Sequence, residues 1–334
     1  MSKPLVQVSD LRVVVRGADG PVTILHGVDF SLEAGKVLCV LGESGSGKSM
    51  TMRALMRLVP RSATISGRVL IDGVDVLALR ERELARIRGS LVAMIFQEPA
   101  TALDPTFTIG HQIAETVRAH EGASWADARR RALDLLELVQ VPSAARRLQA
   151  YPHELSGGLR QRAMIALALS CRPKVLIADE PTTALDATVQ IQVLLLLREL
   201  QRELGMATLF VTHDVGVACE IADEVAVMYA GRIVERGSTE EVLGRAGHPY
   251  ARGLLRSVVT SDLVGTRLVP IDGSPPELSA LPPGCSFAPR CNHAIERCSA
   301  AVPELAALSA SHRVRCARLG ELEPAIPHAQ EVST

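Results

Sequence analysis

Aromatic residues are scarce in this chain: five Phe, three Tyr and one Trp among 334 residues, or 3%. The core must therefore be built from Val, Leu, Ile, Ala and Met, and the 47% hydrophobic content can supply a substantial one. Few rings remain for stacking on bases, and a net charge of −1 lacks the basic excess of a protein that coats nucleic acid, so no nucleic-acid partner is expected. Long apolar runs are missing too. MIALALS and VLLLL fall far short of the roughly 20 residues that cross a bilayer, and the opening MSKPLVQVSD has no apolar signal-peptide segment. These absences predict a soluble, cytosolic protein that meets any membrane through a partner. Cytosolic residence argues against structural disulfides for its seven cysteines.

The length suits one large domain or two ordinary ones. In VDFSLEAG, Val28, Phe30 and Leu32 alternate with polar residues, the period of a half-buried strand, and GADG around Asp19 reads as a hairpin turn. An apolar run from Val37 to Leu41, a Gly-rich loop and MTMRALMRLV at helical spacing read as strand, loop and helix. From about Arg80 to Arg162 the pattern is mostly helical. The clearest helix is SWADARRRALDLLELVQV, with Ser124 as cap and Ala128, Ala132, Leu135, Leu136 and Val139 on one face. Short apolar runs follow at 175–178, 207–211 and 224–231 with helices between them, the pattern of a mostly parallel α/β sheet into which the helical block is inserted. Beyond about residue 262, six prolines from Pro270 to Pro289 discourage regular structure and mark a small appendage.

Residues 42–49, GESGSGKS, fit G-x-x-x-x-G-K-[ST] without mismatch. Glycines let the backbone wrap a phosphate and aim its N–H groups at it. Lys48 can reach the β- and γ-phosphates, Ser49 can offer a hydroxyl to Mg²⁺, and the next helix presents its positive end. A chance Gly/Ser turn is the bland alternative, and the flanking strand and helix weigh against it. In VLIADEP, Asp179 and Glu180 end a buried strand. Alone they read better as helix-terminal caps; behind a phosphate loop they read as a site that positions Mg²⁺ and polarises water.

With ELSGGLRQRAMIALALSCRP the chain resembles the ATP-binding subunits of ABC transporters, whose LSGGQ signature stands here as LSGGL at 155–159. The order of motifs matches as well: GESGSGKS, Gln97 in IFQEP, LSGGL, VLIADE, ALD at 184–186 and His213 in VTHD. The resemblance implies an α/β P-loop NTPase (RecA-like) core over residues 1–262. With it come an N-terminal antiparallel β-subdomain, a helical subdomain at about 90–165, and a small irregular C-terminal region at 263–334. It implies that Gly42, Glu43, Ser44, Gly45, Ser46, Gly47, Lys48, Ser49 and Met50 bind ATP in cis. Ser156, Gly157 and Gly158 would contact the ATP of a second subunit packed head to tail, and Asp186 would link the two sites. Ser49, Gln97 and Asp179 would serve Mg²⁺. Glu180, His213 and Gln97 would align the attacking water. Two departures stand out. Leu159 replaces the signature Gln, a mark of the peptide-importer branch. The stretch VVVRG at 13–17 lacks the ring that the family stacks on adenine, and Arg16 is the candidate substitute through a cation–π contact.

IFQEPATALDPTFTIGHQI, YPHELSGGLRQR, DEPTTALDATVQ and HPYARGLLRSV resemble the oligopeptide/dipeptide importer group. That implies an ATPase at the cytoplasmic face of the membrane. Its partners would be two permease subunits, an external binding protein and a second homologous ATPase, with a heterodimer favoured over a homodimer. Cargo other than peptides (nickel, glutathione, opines or sugars), a soluble non-transport ABC ATPase and a catalytically inactive regulatory subunit are the alternatives. Cys285, Cys291, Cys298 and Cys316 are spaced C-x5-C-x6-C-x17-C. Zinc sites favour tighter pairs, though His293 and His312 lie near; a [4Fe–4S] cluster takes four thiolates, and that ligation is what the resemblance implies. Zinc and free thiols remain the other readings. Cys39, Cys171 and Cys219 lie in or beside apolar segments and read as small core side chains.

Overall fold

A computed structural model describes residues 3–17, 20–257 and 270–322. The turn at Ala18–Asp19 and the boundary near residue 262 lie outside the described residues. Among the described residues the strands are, in chain order, β1 (Val6–Gly17), β2 (Gly20–Leu32), β3 (Val37–Leu41), β4 (Ala63–Ile71), β5 (Val74–Asp75), β6 (Val92–Ile95), β7 (Val175–Asp179), β8 (Ala207–Thr212), β9 (Glu224–Tyr229), β10 (Arg232–Ser238), β11 (Ala306–Ala307) and β12 (Arg313–Val314). The chain forms two compact units. One holds residues up to 6, 31–36 and 70–211; the other holds 7–30, 37–69 and 212 onward.

In the first unit β6, β7 and β8 pair in parallel, with Val92 opposite Val175 and Val175 opposite Ala207. Every residue of these strands is buried, as expected of parallel strands covered on both faces. The end of β4 turns into β5 through Asp72 and Gly73, both at positive φ, the twist a tight hairpin needs. The helical block packs helices Ile109–Glu121, Trp125–Leu138 and Gly157–Leu169. The Ser124 hydroxyl accepts the N–H of Asp127 at 3.1 Å, and the expected face is buried from Ala128 through Leu136, with Val139 fully buried at the C-cap.

In the second unit β4 follows β1, which follows β2, in one sheet. The alternation of Val28, Phe30 and Leu32 is borne out: all three are buried on β2. β3 runs parallel to β9, with Leu41 opposite Val227, and β9 turns back antiparallel into β10. The tail does not stand apart. β12 adds antiparallel to β10, with Glu235 opposite Val314, and β11 adds to β12. His312 packs beside them, its Nε2 2.7 Å from the Glu235 carboxylate, and both side chains are buried.

Besides the two-residue strands β5, β11 and β12, three strands among the described residues escaped the sequence pattern. β4 is mostly exposed and interrupted by Gly67, so it shows little alternation. β6 has only four residues inside a stretch that reads as helical. β10, RIVERGS, carries a charge that the fold buries: Glu235 accepts the N–H groups of Gly247 and His248, at 2.7 Å each. Of the three cysteines read as core thiols, Cys39 is buried, Cys171 is half-buried and Cys219 is exposed, because it lies on the outer face of the short helix Val215–Ile221.

Candidate functional site

The second unit carries the glycine-rich loop between β3 and the helix Lys48–Leu55. Gly42 has φ +156°, and a Cβ there would lie 2.3 Å from the Met228 carbonyl oxygen of β9. Gly47, the helix N-cap, has φ +104°, and a Cβ would press on Leu25 at 2.9 Å. No larger residue fits either place. The loop folds around the buried Lys48, whose Nζ donates to the carbonyls of Gly42 (2.7 Å) and Glu43 (2.9 Å). Among the described residues the buried Ser46 hydroxyl has no hydrogen-bond partner. Ser49 and Met50 are half-buried on the first helical turn. A glycine-rich turn at a helix start, with a lysine and a buried hydroxyl, is the kind of donor set that takes a phosphate.

The second loop residue is tied to the tail. Glu43 donates its N–H to the Tyr250 hydroxyl at 2.8 Å. Its carboxylate receives a two-pronged contact from Arg290, Nη1 to Oε2 at 2.7 Å and Nη2 to Oε1 at 3.0 Å. Arg290 is 5% exposed at its side chain, and its Nε donates to the Asp272 carbonyl at 2.9 Å. Tyr229, Tyr250 and Phe287 form one ring cluster beneath it, with centroids 4.5–5.4 Å apart. The few rings are thus concentrated where the tail meets the loop. His248 sits beside Phe287, and burial, followed by the charges of Arg252 and Arg315, pushes its pKa down to about 3. Neutral, its Nδ1 accepts the N–H of Tyr250 at 3.0 Å. Nothing local in HPYARGLLRSV or around Arg290 names the loop as a partner, so the sequence pattern does not reveal this contact.

The first unit carries the acidic residues. Asp179 is buried at the end of β7. Glu180 follows with φ +46°, its N–H donating to the Val211 carbonyl at 3.0 Å. Gln97 Nε2 lies 3.3 Å and Thr183 Oγ1 3.1 Å from Glu180 Oε2, so the structure brings Gln97 and Glu180 together. A left-handed backbone at a non-glycine residue is costly, and such outliers cluster at functional positions.

Ser156 caps the helix Gly157–Leu169, accepting the N–H of Leu159 at 3.4 Å. A Cβ on Gly158 would lie 2.6 Å from Val189 Cγ1, so this helix start packs closely on the helix Ala187–Leu204. Gly157 has no such neighbour. Asp186 caps the helix Ala187–Leu204 by accepting the N–H of Val189 at 3.0 Å. The second unit places His213 exposed just beyond β8, before Asp214, which caps the helix Val215–Ile221. On the helical block, Phe107, His111 and Trp125 form an exposed stack with ring centroids 5.0 and 5.2 Å apart.

Cys285, Cys291, Cys298 and Cys316 line one small cavity with His248, Phe287 and His293. Backbone N–H groups point at three of the sulfurs: those of Phe287 and Ala288 at Cys285, that of His293 at Cys291, and that of Arg318 at Cys316, the last at 3.4 Å. Burial pushes the thiols of Cys285, Cys291 and Cys316 up. Among the described residues no group of three or more His, Cys, Asp or Glu is placed to hold a metal ion, the four tail cysteines included. Among the described residues, too, no helix is long and apolar enough to cross a membrane.

Comparison with known proteins matches residues 25–183 to the family described as ABC transporter, and residues 234–298 to that described as oligopeptide/dipeptide transporter, C-terminal region. A putative peptide import ATP-binding protein of Brucella melitensis is 47% identical over 96% of this chain and 98% of its own length. The oligopeptide transport ATP-binding protein OppD of Salmonella typhimurium is 48% identical, covering 90% of this chain and 89% of OppD. The dipeptide transport ATP-binding protein DppD of Bacillus subtilis is 45% identical, covering 93% and 94%. Among solved structures, the dimeric ABC cassette MJ0796 in a post-hydrolysis state with ADP and Pi is 28% identical with a TM-score of 0.63, covering 70% of this chain and 98% of that one. These similarities run through both the phosphate loop and the cysteine-bearing tail, and the chain belongs to the ATP-binding subunits of ABC transporters, in their oligopeptide/dipeptide branch.

Proposed function

We propose that the chain is the ATP-hydrolysing subunit of an importer of short peptides. The observation that carries this reading is the phosphate loop, closed on a buried Lys48 by glycines that nothing larger can replace. Residues Gly42–Met50 hold the triphosphate, with peptide N–H groups and Lys48 neutralising its charge. Mg²⁺, held by Ser49, Gln97 and Asp179, adds further neutralisation when bound. Glu180 takes the proton of the attacking water, and Gln97, which it already touches, orients that water. His213 contacts the γ-phosphate. Ser156, Gly157 and Gly158 present a capped helix start to the nucleotide of a partner ATPase, and Asp186 couples the paired sites. In this reading residues 1–262 are the ATPase domain, with its helical subdomain at about 90–165, and 263–334 the branch-specific tail.

The assembly pairs this chain with a second, different ATPase at the cytoplasmic face of the membrane. Two permease subunits receive cargo from an external binding protein at the opposite face, and the Phe107–His111–Trp125 stack, with Phe107 and Trp125 exposed, is the surface offered to a permease. Steady-state ATPase assays on the assembled complex test the reading. Lys48→Ala should abolish nucleotide binding. Glu180→Gln should retain binding and lose about 10²–10⁴-fold in turnover. Near-normal turnover in Glu180→Gln would remove that residue from its role.

We further propose that the four tail cysteines take a [4Fe–4S] cluster, with zinc as the second reading. The four residues line one cavity, and backbone N–H groups lie at the sulfurs of Cys285, Cys291 and Cys316. Anaerobic preparation should give brown protein with about four irons per chain, lost in Cys316→Ser. Colourless, iron-free protein holding zinc would refute the cluster.

A further inference from the structure

Beside the phosphate loop lies a cavity of about 430 Å³. Loop residues Glu43–Ser46 form one wall; Val22 of β2, Tyr229 and Ala230 at the end of β9, and tail residues Pro275–Ser279 form the others. The loop wall offers hydroxyls and peptide groups. The facing walls are mostly apolar, with Val22, Pro276 and Leu278 half-buried and the exposed Glu277 and Ser279 between and beside the tail residues. All of these residues belong to one compact unit. The tail segment is held there from behind: Arg290 donates to the carbonyls of Ile271 (3.4 Å) and Asp272 (2.9 Å) while gripping Glu43.

We propose that this cavity receives the base and ribose of the nucleotide whose phosphates the loop holds, and that Pro276 and Leu278 supply the apolar contact for the base. The proposal rests on the nucleotide-binding reading given above. Its size lies within the range of small-molecule sites. A nucleoside leaving the phosphate loop needs a polar edge and an apolar face, and this cavity offers both directly beside Ser44–Ser46. β1 offers no ring at Val13, Val14 or Val15. Arg16, the substitute suggested by the sequence, is exposed, and the cavity is lined without it. The apolar wall is instead contributed from more than 200 positions along the chain, by a tail segment stiffened by two successive prolines. Such a wall grips a base through van der Waals contact without reading its edge, so it predicts weak discrimination between ATP and GTP.

The test measures binding of ATP, GTP and inorganic tripolyphosphate to the full chain. Leu278→Ala, alone and with Pro276→Ala, should weaken ATP and GTP alike by about fivefold, the loss of a few methyl-sized contacts, and leave tripolyphosphate within about twofold. Leu278→Trp supplies a second readout: its fluorescence should change on adding ATP and not on adding tripolyphosphate. ATP affinity unchanged in both alanine variants would overturn the proposal. So would an equal loss for ATP and tripolyphosphate, which would mean that the tail acts only on the loop. If the wild-type chain bound neither ligand, or if Lys48→Ala bound both normally, the nucleotide-binding reading itself would fall and take the proposal with it.

Discussion

Removing the Arg290 guanidinium is the perturbation that most directly probes the junction of tail and phosphate loop. Its side chain is 5% exposed and that of Glu43 is 26% exposed. Arg290→Ala deletes both contacts to the Glu43 carboxylate, the hydrogen bonds to the Asp272 and Ile271 carbonyls, and the 3.3 Å contact to the Tyr229 hydroxyl. Breaking a buried pair by removing one partner costs about 3–5 kcal/mol, and water's access to Glu43 puts this case at about 3 kcal/mol. For a chain of this size that lowers the unfolding midpoint by roughly 4 °C. Arg290→Lys keeps the charge but loses the fork, so it should fall between. A double-mutant cycle with Glu43→Gln isolates the pair and should give a coupling of about 2 kcal/mol. Calorimetry on the four proteins gives the numbers. A coupling within about 0.3 kcal/mol of zero would refute the reasoning, because the fork would then add nothing to the junction of tail and loop.

Further outcomes follow from individual contacts. Gly158→Ala places a methyl 2.6 Å from Val189 Cγ1, on a β-branched side chain with little freedom in a helix, and should destabilise by about 1–3 kcal/mol; Val189→Ala in the same chain should recover most of that in thermal unfolding. Burial pushes the Glu241 carboxyl up, but hydrogen bonds from Ser309, the Ser238 backbone, and the Ser311 and Ser238 hydroxyls outweigh it and hold the pKa at about 2, against an ordinary 4.5. Its contribution to stability is therefore complete above about pH 4.5 and lost as pH falls toward 2. Ser309→Ala with Ser311→Ala should flatten that part of a stability–pH profile measured by denaturant titration. His312→Ala strips the buried Glu235 carboxylate of its side-chain partner and should cost about 3 kcal/mol, read as an earlier unfolding midpoint.

What was legible in the sequence was local. The Ser124-capped helix, the apolar strands at β3, β7, β8 and β9, and the phosphate loop each depend on neighbours within a few positions, so periodicity and turn chemistry reveal them. Gln97 and Glu180 were grouped by resemblance alone, since 83 positions separate them along the chain, and only the fold shows that their side chains meet. β4 was hidden because its outer face is solvated, and β10 because its buried charge mimics a surface strand. The exposed Cys219 shows the same limit from the other side, since apolar neighbours do not tell which face of a short helix a thiol occupies.

By itself, the sequence determined the chemistry: a lysine-bearing glycine loop, paired carboxylates, and a thiol-rich tail. Each is a matter of residue type and spacing along the chain. The tertiary structure alone decided that Arg290 grips Glu43 across 247 positions, that β12 completes the edge of β10, and that Pro276 and Leu278 wall the cavity beside the loop. Such contacts form only when packing brings distant segments together, and a partner hundreds of residues away leaves no mark on local periodicity.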